Sequence, residues 1–297
     1  MSRNNAYRGR FAPSPTGPLH FGSLVTAVGS YLEAKSHQGK WLVRIEDVDT
    51  PRVIKGAADD ILRTLEAFGL YWDETVVYQS KRTAAYQETL DNLQQKDWLY
   101  PCTCSRQQIA AHGRPGQDGF IYPGTCRQTG INETDTSNHC FAWRIHTREQ
   151  IIQFHDLLRG QLQLDLPNEL GDFVLCRSDG IFTYQLAVAV DDAWQRVTHV
   201  VRGTDLLFST FRQRYLQQLL GYVTPTYCHL PLALDSQGKK LSKRTHAFPV
   251  SAADPLPTLL AALAFLGQDV SNAPRDNIET FWQWARLHWQ WDKIPLV

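Results

Sequence analysis

Four groups of residues in this 297-residue chain have the types and spacing to do chemistry. The first is Arg10-Phe-Ala-Pro-Ser-Pro-Thr-Gly-Pro-Leu-His20-Phe-Gly22-Ser23. Its prolines fix backbone torsions and withhold N–H donors, so the turn can hold an unusual path. Gly17 and Gly22 let backbone approach a ligand closely. His20 and the free N–H groups of a following helix would face the carboxyl end of a strand, where doubly wound sheets bind nucleotides. The second group is Glu46, Asp47 and Asp49, closing Trp41-Leu-Val-Arg-Ile-Glu-Asp47. Carboxylates there can bind a metal, bind an amine or cap the next turn; Asp49, before Thr50-Pro51, suits the cap. The third is Cys102-Thr-Cys104 with Tyr122-Pro-Gly-Thr-Cys126. Two close thiolates and a third across a Gly/Pro-rich loop suit tetrahedral zinc. The fourth ligand is open, with His112, His139 and Cys140 as chemically ordinary candidates. The fourth group is Lys239-Lys-Leu-Ser-Lys-Arg244, by itself a solvated loop or a weak anion site.

The elements that must position these groups follow from periodicity. Leu24, Val25, Val28, Tyr31 and Leu32 recur at helical spacing, with Gly39 beyond the helix end. Trp41–Asp47 alternates as a strand. Ala57 to Leu70 reads as a helix with Ile61, Leu62, Leu65 and Phe68 on one face, and Ala84 to Lys96 as another. Lys81 and Arg82, just before the second, read equally as surface charges or as part of the site. Glycines and prolines interrupt Pro101 to Asp172, which reads as an insertion between two halves of a nucleotide-binding sheet. Phe141-Ala-Trp-Arg-Ile and Gln161-Leu-Gln-Leu-Asp-Leu alternate as its strands. His155-Asp156 reads as structural. The sheet is expected to resume at Phe173-Val-Leu-Cys-Arg, turn at Ser178-Asp-Gly180 and return as a hairpin strand over Phe182–Val190. His199–Leu207 joins a strand to a helix beginning near Ser209. Leu230–Leu234 is a short strand and Asp235–Gly238 a turn. Pro255–Leu266 and Ile278–Leu287 read as amphipathic helices. The expected fold is α/β: a Rossmann-like parallel sheet with an inserted zinc-bearing module and a small helical C-terminal subdomain. It divides at 1–100, 101–172, 173–235 and 236–297.

Composition narrows the function classes. Apolar residues make up 43% of the chain, enough for a sizeable core. Lys plus Arg equals Asp plus Glu at 30 each, so any nucleic-acid surface must be a local patch. No apolar run follows Met-Ser-Arg-Asn-Asn, and Leu259–Leu266 is too short to span a bilayer. A soluble, cytoplasmic protein without a membrane partner is expected. Six cysteines in such a chain argue for thiols or metal rather than a disulfide framework.

His20-Phe-Gly22-Ser23 resembles the first signature of the class I aminoacyl-tRNA synthetases, His-x-Gly-x, with Ser23 where the usual residue is His. That departure weakens a direct phosphate contact from this position. Arg10-Phe-Ala-Pro-Ser-Pro-Thr-Gly17 narrows the resemblance to the glutamyl/glutaminyl branch. Arg44-Ile-Glu-Asp-Val-Asp49, Arg202-Gly-Thr-Asp205 and Lys240-Leu-Ser-Lys243-Arg244 are similar to further signatures of that branch and class, in the family's order.

The resemblance implies a set of roles. Arg10, Phe11, Ala12, Pro13, Ser14, Glu46, Tyr184 and Arg202 would hold L-glutamate, Glu46 taking the α-ammonium. Arg10 and Arg202 together favour glutamate over glutamine, because a permanently charged fork suits a carboxylate. His20, Gly22, Ser23, Asp205, Lys240, Leu241, Ser242 and Lys243 would hold ATP with its Mg²⁺, and His20 and Lys243 would stabilise charge in the reaction. One structural zinc would sit on Cys102, Cys104, Cys126 and, as the fourth ligand, Tyr122. The tail beyond Arg244 is too short for an anticodon-reading domain. This matches the truncated members of the family, expected to act as monomers. The implied activity is ATP-dependent formation of glutamyl-adenylate without tRNA, then transfer to the queuosine base in the anticodon of tRNA(Asp). An ordinary glutamyl-tRNA synthetase and an inactive tRNA-binding paralogue are the alternatives.

Overall fold

The computed structural model describes residues 6–129, 140–148, 150–233 and 250–296. Strand β1 (Arg8–Phe11) and strand β2 (Lys40–Ile45) pair in parallel from Arg8↔Lys40 to Phe11↔Val43. Helix α1 (Phe21–Ser36) connects them, and Leu24, Val25, Val28, Tyr31 and Leu32 are all buried, as their spacing requires. Helix α2 (Ala57–Ala67) buries Ile61 and Leu65 and leads to β3 (Val77–Tyr78), which pairs with β2 in parallel. Helix α3 (Thr83–Gln95) follows.

The next stretch carries short elements: β4 (Leu99–Cys102), α4 (Arg106–His112), β5 (Arg114–Gly116), β6 (Gly119–Ile121), α5 (Thr125–Thr129) and β7 (Ala142–Ile145). Then come the hairpin β8 (Ile151–Asp156) and β9 (Gly160–Asp165), α6 (Leu166–Glu169) and β10 (Phe173–Cys176). The chain continues through α7 (Tyr184–Trp194), β11 (His199–Gly203), α8 (Leu207–Leu220) and β12 (Thr226–Leu230), and then α9 (Pro255–Phe265) and α10 (Ile278–His288).

Strand β11 pairs with β12 in parallel, and β12 with β8 at Tyr227↔Asp156. On its other side β11 is tied to β1: the Thr198 amide donates to the Arg8 carbonyl at 2.9 Å, and the Arg8 amide to the Thr198 hydroxyl at 2.8 Å. The spatial order is therefore β3-β2-β1-β11-β12-β8. The winding direction reverses between β1 and β11, and ligands of such sheets bind in the crevice beyond that reversal. One apolar core joins β1, β2 and α1 to α9 and α10 through Leu259, Phe281 and Trp282; a second joins α3, α7 and α8 through Tyr86, Leu186 and Tyr215; a small third gathers Cys102, Tyr122 and Cys126. No helix among the described residues is long and apolar enough to cross a membrane.

Four local expectations are corrected. The strand expected over Leu230–Leu234 lies earlier, at Thr226–Leu230, and the Gln161–Leu166 strand expected in the inserted module pairs instead with β8, which joins β12 of the main sheet. Phe182–Val190 does not form a hairpin strand: an antiparallel bridge joins Cys176 to Phe182, and from Tyr184 the chain is helix α7. A continuous apolar run suits a buried helix as well as a buried strand, and here Leu186 to Val190 are all buried. Nor does Phe173–Cys176 resume the parallel sheet. It pairs antiparallel with β7, which pairs antiparallel with β4.

Candidate active site

A cleft of about 650 Å³ opens at the β1/β11 reversal. It is lined by Arg10, Phe11, Ala12, Pro13, Ser14, His20, Gly22, Ser23, Glu46, Tyr184, Arg202 and Asp205, so every ligand-contacting residue expected within the described chain meets there. Lys240, Leu241, Ser242 and Lys243 lie outside the described residues. The proline-rich turn is fastened to the end of β2: the Glu46 amide donates to the Pro13 carbonyl at 3.0 Å, and the Ile54 amide to that of Pro15 at 2.9 Å. Gly17, at φ 133°, supplies a conformation that other residues reach only with strain. His20 caps α1, its Nδ1 accepting the Ser23 amide at 3.3 Å, while the Ser23 hydroxyl lies 3.0 Å from Nε2. The serine thus steadies the histidine at the helix start, where the dipole and free N–H groups favour an anion.

Two buried arginines enter the cleft in different ways. Arg10 Nε bonds Asp192 Oδ1 at 3.2 Å, and Arg44 bonds the same oxygen at 2.7 Å and Glu46 at 3.2 Å. Two cations and two carboxylates therefore neutralise one another. Burial pushes the Glu46 carboxyl upward against the pull of Arg44 and Arg10. Burial works the same way on Asp192, but there the two arginines prevail and hold it below its ordinary value. Arg202, 3% exposed, has a different environment. Its Nη1 reaches the Tyr184 hydroxyl at 3.1 Å, its Nη2 reaches Thr210 Oγ1 at 2.6 Å and the Leu206 carbonyl at 3.4 Å, and its Nε lies 3.4 Å from His229 Nε2. Among the described residues it forms no ion pair. A buried guanidinium with only neutral acceptors is a receptor for an anion.

The cysteines also converge. Ser105 and Gln108 form a capping box at the start of α4, turning the chain sharply after Cys104. The sulfurs of Cys102, Cys104 and Cys126 lie within 4.8 Å of one another, and those of Cys104 and Cys126 are 3.5 Å apart. The Tyr122 oxygen is 3.5 Å from Cys102 and from Cys104, and it accepts the Cys126 amide at 2.8 Å. Tetrahedral zinc with bonds near 2.3 Å needs donors about 3.8 Å apart, so this set fits. His112 is not part of it: its Nδ1 lies 3.0 Å from the Gln108 carbonyl oxygen of its own helix. Cys140 is exposed and outside the cluster, and His139 lies outside the described residues. The Arg144 guanidinium lies 4.0 Å over the Tyr122 ring, and burial among the thiols holds the phenol proton tightly.

Several contributors were invisible in the sequence. Asp191 and Asp192 sit adjacent and buried on α7. Asp192 serves Arg10 and Arg44, while Asp191 accepts from Gln79, Arg82 and Tyr86. That resolves Arg82 as structural, its guanidinium also lying 3.8 Å over the Trp194 ring. Lys81 lies over the Tyr78 ring at 5.2 Å. The available signal was two consecutive aspartates inside an apolar helix, since buried carboxylates need cations. His229 gave none. Its Nδ1 meets Asp156 Oδ2 at 2.6 Å, both side chains being buried.

Residues 6–269 match the family described as "tRNA synthetases class I (E and Q), catalytic domain". The glutamyl-Q tRNA(Asp) synthetase of Dechloromonas aromatica (strain RCB) is 53% identical over 98% of this chain and 97% of its own. That of Chromobacterium violaceum is 51% identical, over 98% of this chain and 96% of its own. Among solved structures, the glutamate-tRNA synthetase of Elizabethkingia anophelis superposes with a TM-score of 0.81 at 27% identity, over 98% of this chain and 67% of that one.

Proposed function

Because the chain belongs to the family of class I tRNA synthetases of the glutamyl and glutaminyl type, we propose that it activates L-glutamate with ATP and transfers it to the queuosine base of tRNA(Asp). The observation that carries the amino-acid choice is Arg202, a buried cation without a carboxylate partner among the described residues, lining the same cleft as Glu46. Arg202 and Tyr184 take the side-chain carboxylate. Glu46 takes the α-ammonium, its charge supported by Arg44 and Arg10. The α-carboxylate then attacks the α-phosphate in line, and the bond to the β-phosphate breaks. His20 and the α1 N-terminus would meet the phosphate charge as it develops, with Lys243 of the second signature as the other charge-stabilising group. Mg²⁺ accompanying ATP shields the remaining phosphate charge. In the second step a tRNA hydroxyl attacks the adenylate carbonyl and AMP leaves. The near-full-length relatives named above, glutamyl-Q tRNA(Asp) synthetases, support queuosine as the acceptor.

Glutamate-dependent ATP–pyrophosphate exchange without tRNA tests the first step, and its absence sinks it. Labelled glutamate on queuosine-bearing tRNA(Asp), but not on the same tRNA with guanine, tests the second. Label on the 3′-terminal adenosine, with equal transfer to unmodified glutamate tRNA, would instead make this an ordinary glutamyl-tRNA synthetase.

One structural zinc on Cys102, Cys104, Tyr122 and Cys126 completes the proposal, supported by the spacing of the four donors. The ion would tie β4 to α5, and none of its four residues lines the cleft. Elemental analysis should find one zinc per chain, and chelation should lower stability. Sub-stoichiometric metal with unchanged stability after chelation counts against it.

A further inference from the structure

Behind Arg202 lies a buried chain of polar side chains that the two reaction steps do not use. Asp156 Oδ1 accepts the amides of Leu158 at 3.1 Å and Arg159 at 3.0 Å, and Oδ2 meets His229 Nδ1 at 2.6 Å. A carboxylate only accepts, so Nδ1 carries the imidazole proton and Nε2 presents its lone pair. The Thr210 hydroxyl, 2.8 Å from that lone pair and 3.4 Å from the Leu206 carbonyl, donates to the nearer of the two, and its own lone pairs accept from Arg202 Nη2 at 2.6 Å. Burial and the nearby Arg202 charge keep His229 neutral, down to about 4, against the opposing pull of Asp156. The His229 tautomer is thus set by Asp156, and its one Nε2 lone pair faces both the Thr210 hydroxyl and Arg202 Nε.

A guanidinium has five N–H donors. Nε–H points at His229, the Nη2 pair at Thr210 and the Leu206 carbonyl, and one Nη1 proton at the Tyr184 oxygen. One Nη1 proton remains, beside the Tyr184 hydroxyl, whose oxygen accepts from Arg202 Nη1 and from the Gln213 amide and so keeps its own proton to donate. We propose that Asp156, His229 and Thr210 form a positioning relay that leaves Arg202 and Tyr184 one shared edge of two donors, which selects a carboxylate over a carboxamide. This rests on reading the cleft as the glutamate site. A carboxylate accepts both donors, one at each oxygen. A carboxamide has a single oxygen for the two donors and sets its own N–H toward an edge that offers it no acceptor, a mismatch that buried sites penalise heavily. Arg202 therefore acts through one N–H and a neighbouring O–H, rather than through a two-pronged fork.

The test is ATP–pyrophosphate exchange on the full-length protein with Thr210→Val, which keeps the side-chain shape and removes the hydroxyl. The KM for glutamate should rise roughly ten- to hundredfold, the scale of one lost hydrogen bond to a charged group. The KM for ATP should stay within about twofold, since a positioning residue moves only the substrate it positions. The preference for glutamate over glutamine should fall with the same factor, and Thr210→Ser should restore both. Asp156→Asn, which weakens the tautomer lock without opening a cavity, should raise the glutamate KM by a smaller factor and covers the case of a misfolded valine variant. Unchanged glutamate KM in the folded variants, or equal rises for glutamate and ATP without rescue by serine, overturns the relay. A wild-type protein with no glutamate-dependent exchange would overturn the glutamate reading itself, and the relay with it.

Discussion

Arg10 and Arg202 line one cleft and are equally buried, each 3% exposed, yet the fold treats their charges in opposite ways. Arg10 shares Asp192 with Arg44, and Arg44 also reaches Glu46, so that side of the cleft is a closed set of two cations and two anions. Arg202 is held by a phenol, a hydroxyl, a carbonyl and a neutral imidazole, so its charge stays available. The closed set is expensive to break because each member left alone would be a buried, unpaired charge. On the proposed function the open arginine would gain its counter-charge from the ligand. One side of the cleft is therefore architecture with Glu46 at its rim, and the other is the proposed receptor.

Four experiments break or sharpen that contrast. Arg202→Leu should all but abolish glutamate-dependent exchange, a loss of several hundredfold or more from roughly 3–5 kcal/mol of lost charge pairing. Its urea midpoint should hardly move; wild-type exchange by this variant would show that the receptor is misplaced. Asp192→Asn should do the reverse in kind, costing about 3 kcal/mol of stability by urea unfolding as Arg10 and Arg44 lose their shared anion. A variant as stable as wild type would mean that Glu46 alone balances both arginines.

The third experiment uses pH. His229 is held near 4, below its ordinary 6.5, so the unfolded chain binds a proton in that interval that the folded chain refuses. Stability must therefore fall as pH drops from 6.5 toward 4. His229→Gln should flatten that slope by about 2–3 kcal/mol. Part of the slope should survive, because burial also depresses His199 to about 4. An unaltered slope would mean that His229 is charged in the fold and that the open arginine has a cation beside it. The smallest change should come from Arg10→Lys, which keeps a cation beside Asp192 and loses the planar fork. About 1 kcal/mol of stability is expected to go. The glutamate KM should rise far less than in Arg202→Leu, and equal effects would erase the distinction between the two arginines.

Much of the cleft was legible because local chain signals place it. The turn from Arg10 to Ser23, the helix behind it and the strand ending at Glu46 each follow from proline, glycine and apolar periodicity over a few residues. The cysteine pair and its distant third partner were likewise marked by residue type. The run from Phe182 to Val190 was misread because continuous burial erases the difference between a period of two and one of 3.6. Asp192 and His229 escaped notice because the partners that make them informative lie far along the chain, Arg44 in one case and Asp156 in the other.

The sequence by itself determined the inventory: a nucleotide-type turn and helix, a carboxylate at a strand end, an arginine after another strand, and three thiols. Residue chemistry and short-range periodicity are local properties, so a linear reading can recover them. Only the tertiary structure decided which charges are spent and which are free. Arg10, Arg44 and Arg202 are indistinguishable as letters, each an arginine in or near an apolar strand. Packing α7 against the sheet brings Asp192 to the first two and withholds it from the third. A buried charge takes its meaning from its nearest counter-charge, and that neighbour is set by the fold.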